Sequence, residues 1–432
     1  MLDHVQLAAP AGSEEKCLRF YRDLLGLKEI RKPDSLSSNG GVWFDSGTTS
    51  LHIGIEEGFS PQSKAHPAFT VPDLDLIAGR LADSGHAVMF DERLAPIRRL
   101  YTKDPFGNRI ELIEAQLKAL HPDRLKPGDH IRLLAPASSL SLVEEQVVSE
   151  GIHALERLGF HVSISCHARK KNVLGSSDVA HRVSDLHQAF GDQSVQGIMA
   201  VRGGFNSNEL LPHLDYELIR SNPKVLIGFS DITALANAIF KKTGLVTYSG
   251  PMLRGIGMNH AYTKKHFIKA LMESADFEIE TSANWFDDGI TRPNQGPVVL
   301  QHGEADGRIV GGNLCTLNLL QGTAFMPDLR GAVLFLEDDY EVHPATVARD
   351  FHSLMQQPGA EQIAAIVFGR FQAASGLELE QLRYMISYYP SLSGVPVIAN
   401  LDFGHTLPMF TFPIGGTASV STEPPLLKIH SS

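Results

Sequence analysis

Val225–Leu226–Ile227–Gly228–Phe229–Ser230–Asp231–Ile232 is the stretch on which the reading of this chain turns. An apolar, β-rich run ends in Gly-Phe-Ser and passes at once into a helix-like segment from Ile232 to Lys241. The pattern predicts a strand, a sharp turn and a helix, with the Ser230 hydroxyl at the strand's end and the first helical N–H groups beside it. Such a turn suits a serine nucleophile in acyl transfer. The second glycine of a hydrolase elbow is replaced by Ile232, and a serine at a helix start is also an ordinary cap.

The same layout recurs along the second part of the chain. Val195 to Val201 leads into Arg202–Gly203–Gly204, Val333 to Leu336 leads to Glu337, and Pro396 to Ala399 leads through a short loop to His405. Each chemically capable group falls at or just beyond the carboxyl end of a predicted strand, the edge at which open parallel α/β sheets bind ligands. Ser230, His405 and Glu337 can then serve as nucleophile, base and orienting carboxylate. Gly203 and Gly204 allow close backbone approach to a substrate, and the amide of Asp231 offers a further oxyanion donor. Plainer roles stand beside these: Glu337–Asp338–Asp339 as a solvated acidic loop, His405 as a turn residue, and Asn313 as a helix cap.

Composition narrows the field. The chain has 432 residues, 43% hydrophobic and 20% charged, which suggests two or three globular domains. A formal charge of −11 argues against a nucleic-acid partner, because no cluster of Lys and Arg is there to meet phosphates. No apolar run approaches the roughly 20 residues of a membrane span, and the N-terminus enters a strand pattern directly; a cytoplasmic protein without a membrane role is expected. Cys17, Cys166 and Cys315 are widely spaced and odd in number, which fits reduced, packed thiols.

A linker-like stretch from Ala115 to Asp129 divides the chain, giving a first domain over 1–118, a linker over 119–127 and a second domain over 128–430. The first domain repeats a strand-helix-strands module. Asp3 to Leu7 precedes a helix from about Glu14 to Leu25 capped by Ser13, and Ala65 to Val71 precedes one from about Leu74 to Asp83. The halves end in Ser50 to Ile53 and in Arg109 to Leu112. Paired about a pseudo-twofold axis, they would gather His4, His52, His66 and Glu111, a set suited to zinc, nickel, manganese or iron(II). The alternative is four polar residues on exposed strand faces.

Through His4, Phe20–Tyr21, Leu24–Leu25–Gly26–Leu27, His66-Pro-Ala-Phe and Asp104–Pro105–Phe106–Gly107–Asn108, the first domain resembles the vicinal-oxygen-chelate superfamily. That resemblance implies a fold of paired βαβββ modules, and its metal positions coincide with the four residues above. His52 stands where glyoxalases usually carry a glutamate, which counts against glyoxalase activity itself; a metal-dependent lyase or dioxygenase and a non-catalytic binding module are the alternatives the resemblance leaves for this domain.

Five segments of the second domain resemble, in order, the LD-carboxypeptidase family of serine peptidases. They are Gly203 to Leu211, Gly228 to Thr233, Gly311–Gly312–Asn313–Leu314, Phe335 to Asp338 and Phe403 to Thr406. The resemblance implies a parallel α/β subdomain followed by a β-rich one, and Asn-Ser-Asn-Glu-Leu-Leu with Gly404 to Gly415 points to the microcin C immunity branch. It further implies a Ser230-Glu337-His405 triad, an oxyanion hole at Gly204 and Asp231, and no metal or cofactor in this domain. Gly203, Asn313 and a base-stacking Trp285 are the implied substrate contacts. The implied substrate is an aminoacyl-nucleotide or small peptide, with murein tetrapeptide recycling as the alternative, and the implied assembly is a homodimer.

Overall fold

The structure is a computed structural model that describes residues 2–431 apart from 48, 62–63, 72–73, 95–96 and 116–117. Its contacts divide the chain into two units, Met1–Gln116 and Leu117–Ser432.

The first unit contains strands β1 His4–Ala9, β2 Lys28–Ile30, β3 Val42–Asp45, β4 Ser50–Ile55, β5 Ala68–Val71, β6 Met89–Phe90, β7 Arg99–Lys103 and β8 Arg109–Glu114. They form two four-stranded sheets, β1-β4-β3-β2 and β5-β8-β7-β6, so the repeated sequence pattern becomes a repeated topology. In each, the first strand pairs parallel with the last and the remaining pairs are antiparallel. The alternation of strands β3 and β4 puts Val42, Phe44, Leu51 and Ile53 inside, against Phe20, Tyr21 and Leu81. One turn ties the halves together. The Asp104 carboxylate accepts from the amides of Phe106 and Asn108 and from the Tyr21 hydroxyl, while the Asn108 side chain donates to the carbonyl of Ala8 on β1.

The predicted first helix takes a different form. Regular α-helix covers Glu14–Cys17 and the chain then widens into π-type turns over Leu18–Leu24. Ser13 makes no capping bond to the helix backbone; its hydroxyl instead receives the Cys17 thiol at 3.9 Å. His66 precedes β5 rather than lying on it.

The second unit opens with strands β9 His130–Leu134, β10 His161–Ile164, β11 Gly197–Ala200, β12 Val225–Gly228 and β13 Thr247–Ser249. They run parallel in the order β10-β9-β11-β12-β13, as full burial of β11 and β12 requires. Strands β14 Phe277–Glu278, β15 Asn284–Asp287, β16 Ile290–Pro293, β17 Val298–Gln301, β18 Glu304–Asn313, β19 Ala332–Glu337, β20 Ala365–Gly369, β21 Val397–Leu401, β22 Phe412–Ile414, β23 Thr417–Thr422 and β24 Pro425–His430 follow. β22 closes the first sheet antiparallel to β13. An eight-stranded sheet, β14-β24-β23-β18-β19-β20-β21-β17, has parallel β18 to β21 at its centre and antiparallel strands on both flanks.

The two sheets of this unit share apolar cores. Phe335 on β19 stacks on Phe412 of β22 with ring centroids 4.5 Å apart and packs beside Phe403 at 5.6 Å. No described helix is long and apolar enough to cross a membrane. Phe335→Ala should cost about 3–5 kcal/mol of unfolding free energy, because it empties a fully buried aromatic site at the junction of the sheets. Urea denaturation of the full chain measures this, and a loss below about 1 kcal/mol would mean that the junction is not a structural core.

Candidate active site

Ser230 lies between β12 and the helix Ile232–Thr243 with φ 63°, a left-handed conformation that costs a non-glycine residue about 1–2 kcal/mol. Neighbouring bonds hold the turn. The Thr233 amide donates to the Ser230 carbonyl at 2.9 Å, and the Asp231 carboxylate accepts from the amides of Asn206 and Ser207 at 3.1 and 2.9 Å. The Ser207 hydroxyl returns to the Asp231 carbonyl at 2.6 Å. Burial, the largest influence, pushes the Asp231 carboxyl above its ordinary pKa against these hydrogen bonds. The Asn-Ser dipeptide read from sequence as a family mark therefore has a structural task, bracing the residue after Ser230.

Gly203 follows β11, and a Cβ there would stand 2.9 Å from Ser230 Oγ, so only glycine leaves that hydroxyl in place. The amides of Gly204 and Asp231 enter no hydrogen bond among the described residues, leaving two donors beside Ser230.

From the other sheet come Glu337, the last residue of β19, and His405, in the loop after β21. His405 Nε2 lies 3.1 Å from Ser230 Oγ, and its Nδ1 lies 2.7 Å from Glu337 Oε2. Nδ1 donates its proton to Glu337, and Nε2 faces the Ser230 hydroxyl. Burial presses the His405 pKa down, but the carboxylates of Glu337, Asp339 and Asp338 outweigh it and hold the imidazole up at about 8. Gly404 is part of the same fit. Its φ is 99°, and a Cβ there would lie 2.5 Å from Glu337 Oε2.

Sequence reasoning missed Asp338. The acidic run, for which a solvated loop is the plainer reading, is buried at its first two members, Glu337 at 2% and Asp338 at 0% exposure. Asp338 accepts from the Asn313 side chain at 3.0 Å and from the Cys315 amide at 3.1 Å. Burial and the neighbouring Glu337 charge push its carboxyl up to about 6. Asn313 stands opposite Glu337 in the β18–β19 register. It caps the short helix Leu314–Asn318 through Thr316, and its own amide donates to Thr233 Oγ1 at 3.0 Å. It links the two sheets' chemistry, with its side chain committed to protein partners. Trp285, expected in a loop, lies on the β15–β16 hairpin, where the guanidinium carbons of Arg292 and Arg370 each sit 4.8 Å from its ring centroid.

The expected metal set of the first unit does not assemble. His4 stacks on His52 at 4.4 Å and His52 on Trp43 at 3.7 Å, nearly parallel in both cases. Nitrogen lone pairs lie in the ring planes, so parallel stacked imidazoles cannot aim at one ion. His66 Nε2 meets Glu111 at 3.1 Å, and the other Glu111 oxygen is taken by Arg99 at 2.8 Å, which neutralises the would-be anionic ligand. The expectation of zinc, nickel, manganese or iron at His4, His52, His66 and Glu111 is thus corrected. Among the described residues, the metal-ligating atoms that converge belong to Cys166, His167 and Asp185 in the second unit, where no metal had been expected. The thiols differ from expectation too: Cys17 is buried, whereas Cys166 and Cys315 are exposed.

Family comparisons agree with this architecture. Residues 131–250 and 306–420 match the LD-carboxypeptidase N-terminal and C-terminal domains, and residues 2–112 match the glyoxalase/bleomycin resistance protein/dioxygenase superfamily. The chain belongs to the LD-carboxypeptidase family and is a serine-type hydrolase of its microcin-immunity-like branch, fused to an N-terminal domain of the glyoxalase type. It is 46% identical over 311 residues to the putative carboxypeptidase YocD of Bacillus subtilis, covering 70% of this chain and 96% of that protein. It is 31% identical to the microcin C7 self-immunity protein MccF of Escherichia coli, covering 67% and 90% of the two. Among solved structures, an MccF-like protein of Bacillus anthracis superposes with a TM-score of 0.71 at 44% identity, covering 73% of this chain and all of that one.

One structure of MccF carries an active-site mutant altered at a serine, an asparagine and a lysine. This corrects the expected function: the catalytic residues implicated in the branch are those three types, and the hydrolysis is not assigned to a Ser-Glu-His triad. The expectation placed Asn313 among the substrate contacts rather than the catalytic residues and contained no lysine.

The His405 imidazole, raised above its ordinary 6.5, contributes stability that is fully present below pH 6.5 and is lost as pH rises through about 8. Unfolding free energy should fall by about 2 kcal/mol across that window in the wild type and stay flat in His405→Gln. Parallel curves for the two proteins would show that the imidazole is not held by the surrounding carboxylates.

Proposed function

We propose that Ser230 is the nucleophile of this hydrolase and that its substrate is a short peptide with a free carboxyl end. The observation that carries the reading is the Ser230 turn itself. It is a strained left-handed residue at a strand end, its Oγ 3.1 Å from His405 Nε2, with two uncommitted amides alongside. Attack by Ser230 on the scissile carbonyl would give an oxyanion beside Gly204 and Asp231, then an acyl-enzyme that water resolves.

Arg202 supports the choice of substrate end. It immediately precedes Gly203, its guanidinium donates to the Leu142 carbonyl at 3.2 Å, and no carboxylate pairs with it among the described residues. A terminal carboxylate suits such a cation.

A second reading comes from the relatives. MccF has been solved with glutamyl sulfamoyl guanosine and with aspartyl sulfamoyl adenosine. Ser230 and Asn313 can stand for the serine and asparagine of its active-site mutant, but the lysine has no counterpart. No lysine occurs between Lys269 and Lys428, and Lys428 sits on β24 paired with Asp276. In its place the segment after β19 offers Asp338, Asp339 and Glu341. The peptide reading is therefore preferred over an acidic aminoacyl-nucleotide.

Mass spectrometry of the full chain with a D-alanine-terminated tetrapeptide and with aspartyl sulfamoyl adenosine tests both. Release of the terminal amino acid, lowered about a thousandfold or more in Ser230→Ala, is expected. Undiminished release by Ser230→Ala would remove Ser230 from the nucleophile's place, and cleavage of the nucleotide alone would replace the peptide reading with the second.

A further inference from the structure

We propose that Cys166, His167 and Asp185 bind a divalent cation of borderline softness, zinc or cobalt(II), at a site separate from Ser230. Cys166 and His167 lie in the loop just after β10, and Asp185 lies on the helix Val179–Gly191 that packs beside it. His167 Nδ1 is 2.7 Å from Asp185 Oδ1, Cys166 Sγ is 3.1 Å from the same nitrogen, and Sγ is 3.5 Å from Oδ1. A thiolate, an imidazole and a carboxylate together are a donor set for zinc rather than for calcium or magnesium, which take oxygen.

The dimensions suit that ion once the exposed Cys166 side chain turns, because its Sγ, 3.1 Å from Nδ1 and 3.6 Å from Nε2, now lies over the His167 ring face rather than in the ring plane. Bonds of about 2.0–2.3 Å place tetrahedral ligand atoms roughly 3.3–3.6 Å apart. The cation would sit where the His167 Nδ1 proton now bridges to Asp185, opening that contact by about half an ångström while the imidazole proton moves to Nε2. The thiol gives up its proton to solvent, so affinity rises with pH. Three protein ligands leave one position for water.

The surroundings orient the ligands as a metal site needs. Asp185 is 4% exposed, and its second oxygen is fixed by the Ser165 hydroxyl at 2.6 Å and the His167 amide at 3.2 Å, leaving Oδ1 to face the other two ligands. His181, one helical turn before Asp185, stacks on the His167 ring at 4.3 Å and 13°. By the same in-plane argument that excludes His4 and His52 from sharing an ion, His181 is not a fourth ligand. It fixes the plane in which His167 presents its nitrogen.

The test is cobalt(II) titration of the chelator-treated full chain, read by absorption. One equivalent should bring in a thiolate-to-cobalt charge-transfer band with intense tetrahedral d–d bands, and one equivalent of zinc should bleach both. Cys166→Ser should abolish the charge-transfer band, and Asp185→Asn should weaken cobalt binding at least tenfold. Cys166 is exposed, so its serine variant should fold as the wild type does, and it should retain the wild type's hydrolytic rate. Absence of the band in the wild type, or an undiminished band in Cys166→Ser, would overturn the proposal.

Discussion

The left-handed turn at Ser230 is the constraint around which the second unit is organised. A non-glycine residue does not rest in that conformation unless its surroundings hold it, and the bonds that hold it reach into both sheets. Asp231 binds the Asn206–Ser207 loop after β11, Thr233 binds the Ser230 carbonyl, and the same Thr233 receives the amide of Asn313 at the end of β18. Asn313 in turn holds Asp338, next to the Glu337 that faces His405. Strand ends far apart in the chain are thereby set against one hydroxyl, and the cost of the turn is spread over a hydrogen-bonded frame rather than borne by one contact.

How much of this could be read from the residues follows from what each signal depends on. The strand-turn-helix at Ser230 and the placement of Glu337 at a strand end and His405 beyond one were legible, because apolar runs report local structure directly. The repeat in the first unit was legible for the same reason, while the shared strand order of its two sheets comes from the structure. Burial of Glu337 and Asp338 was not. Three acids in a row read as a wet loop unless one knows that β18 runs alongside and sets Asn313 opposite Glu337, a long-range pairing that no local pattern encodes.

The metal expectations failed in both directions for a common reason. Histidine identity and strand position placed His4, His52, His66 and Glu111 plausibly, yet ligation depends on where lone pairs point. Ring stacking with Trp43 and the pairing of Glu111 with Arg99 settle that differently. Conversely, Cys166, His167 and Asp185 are brought together by a strand-end loop meeting a helix nearly twenty residues on, and the cysteine spacing alone gave no hint of it.

Gly404 carries a consequence for how this chain can change over generations. Its missing side chain is the space in which Glu337 reaches His405, so positions 337 and 404 cannot drift independently. Any side chain at 404 presses on the longer carboxylate, while a shorter acid at 337 would vacate the room but lose its reach to the imidazole. A change at either position therefore calls for a compensating change at the other, and a residue with no functional group constrains its neighbours as firmly as one that has one.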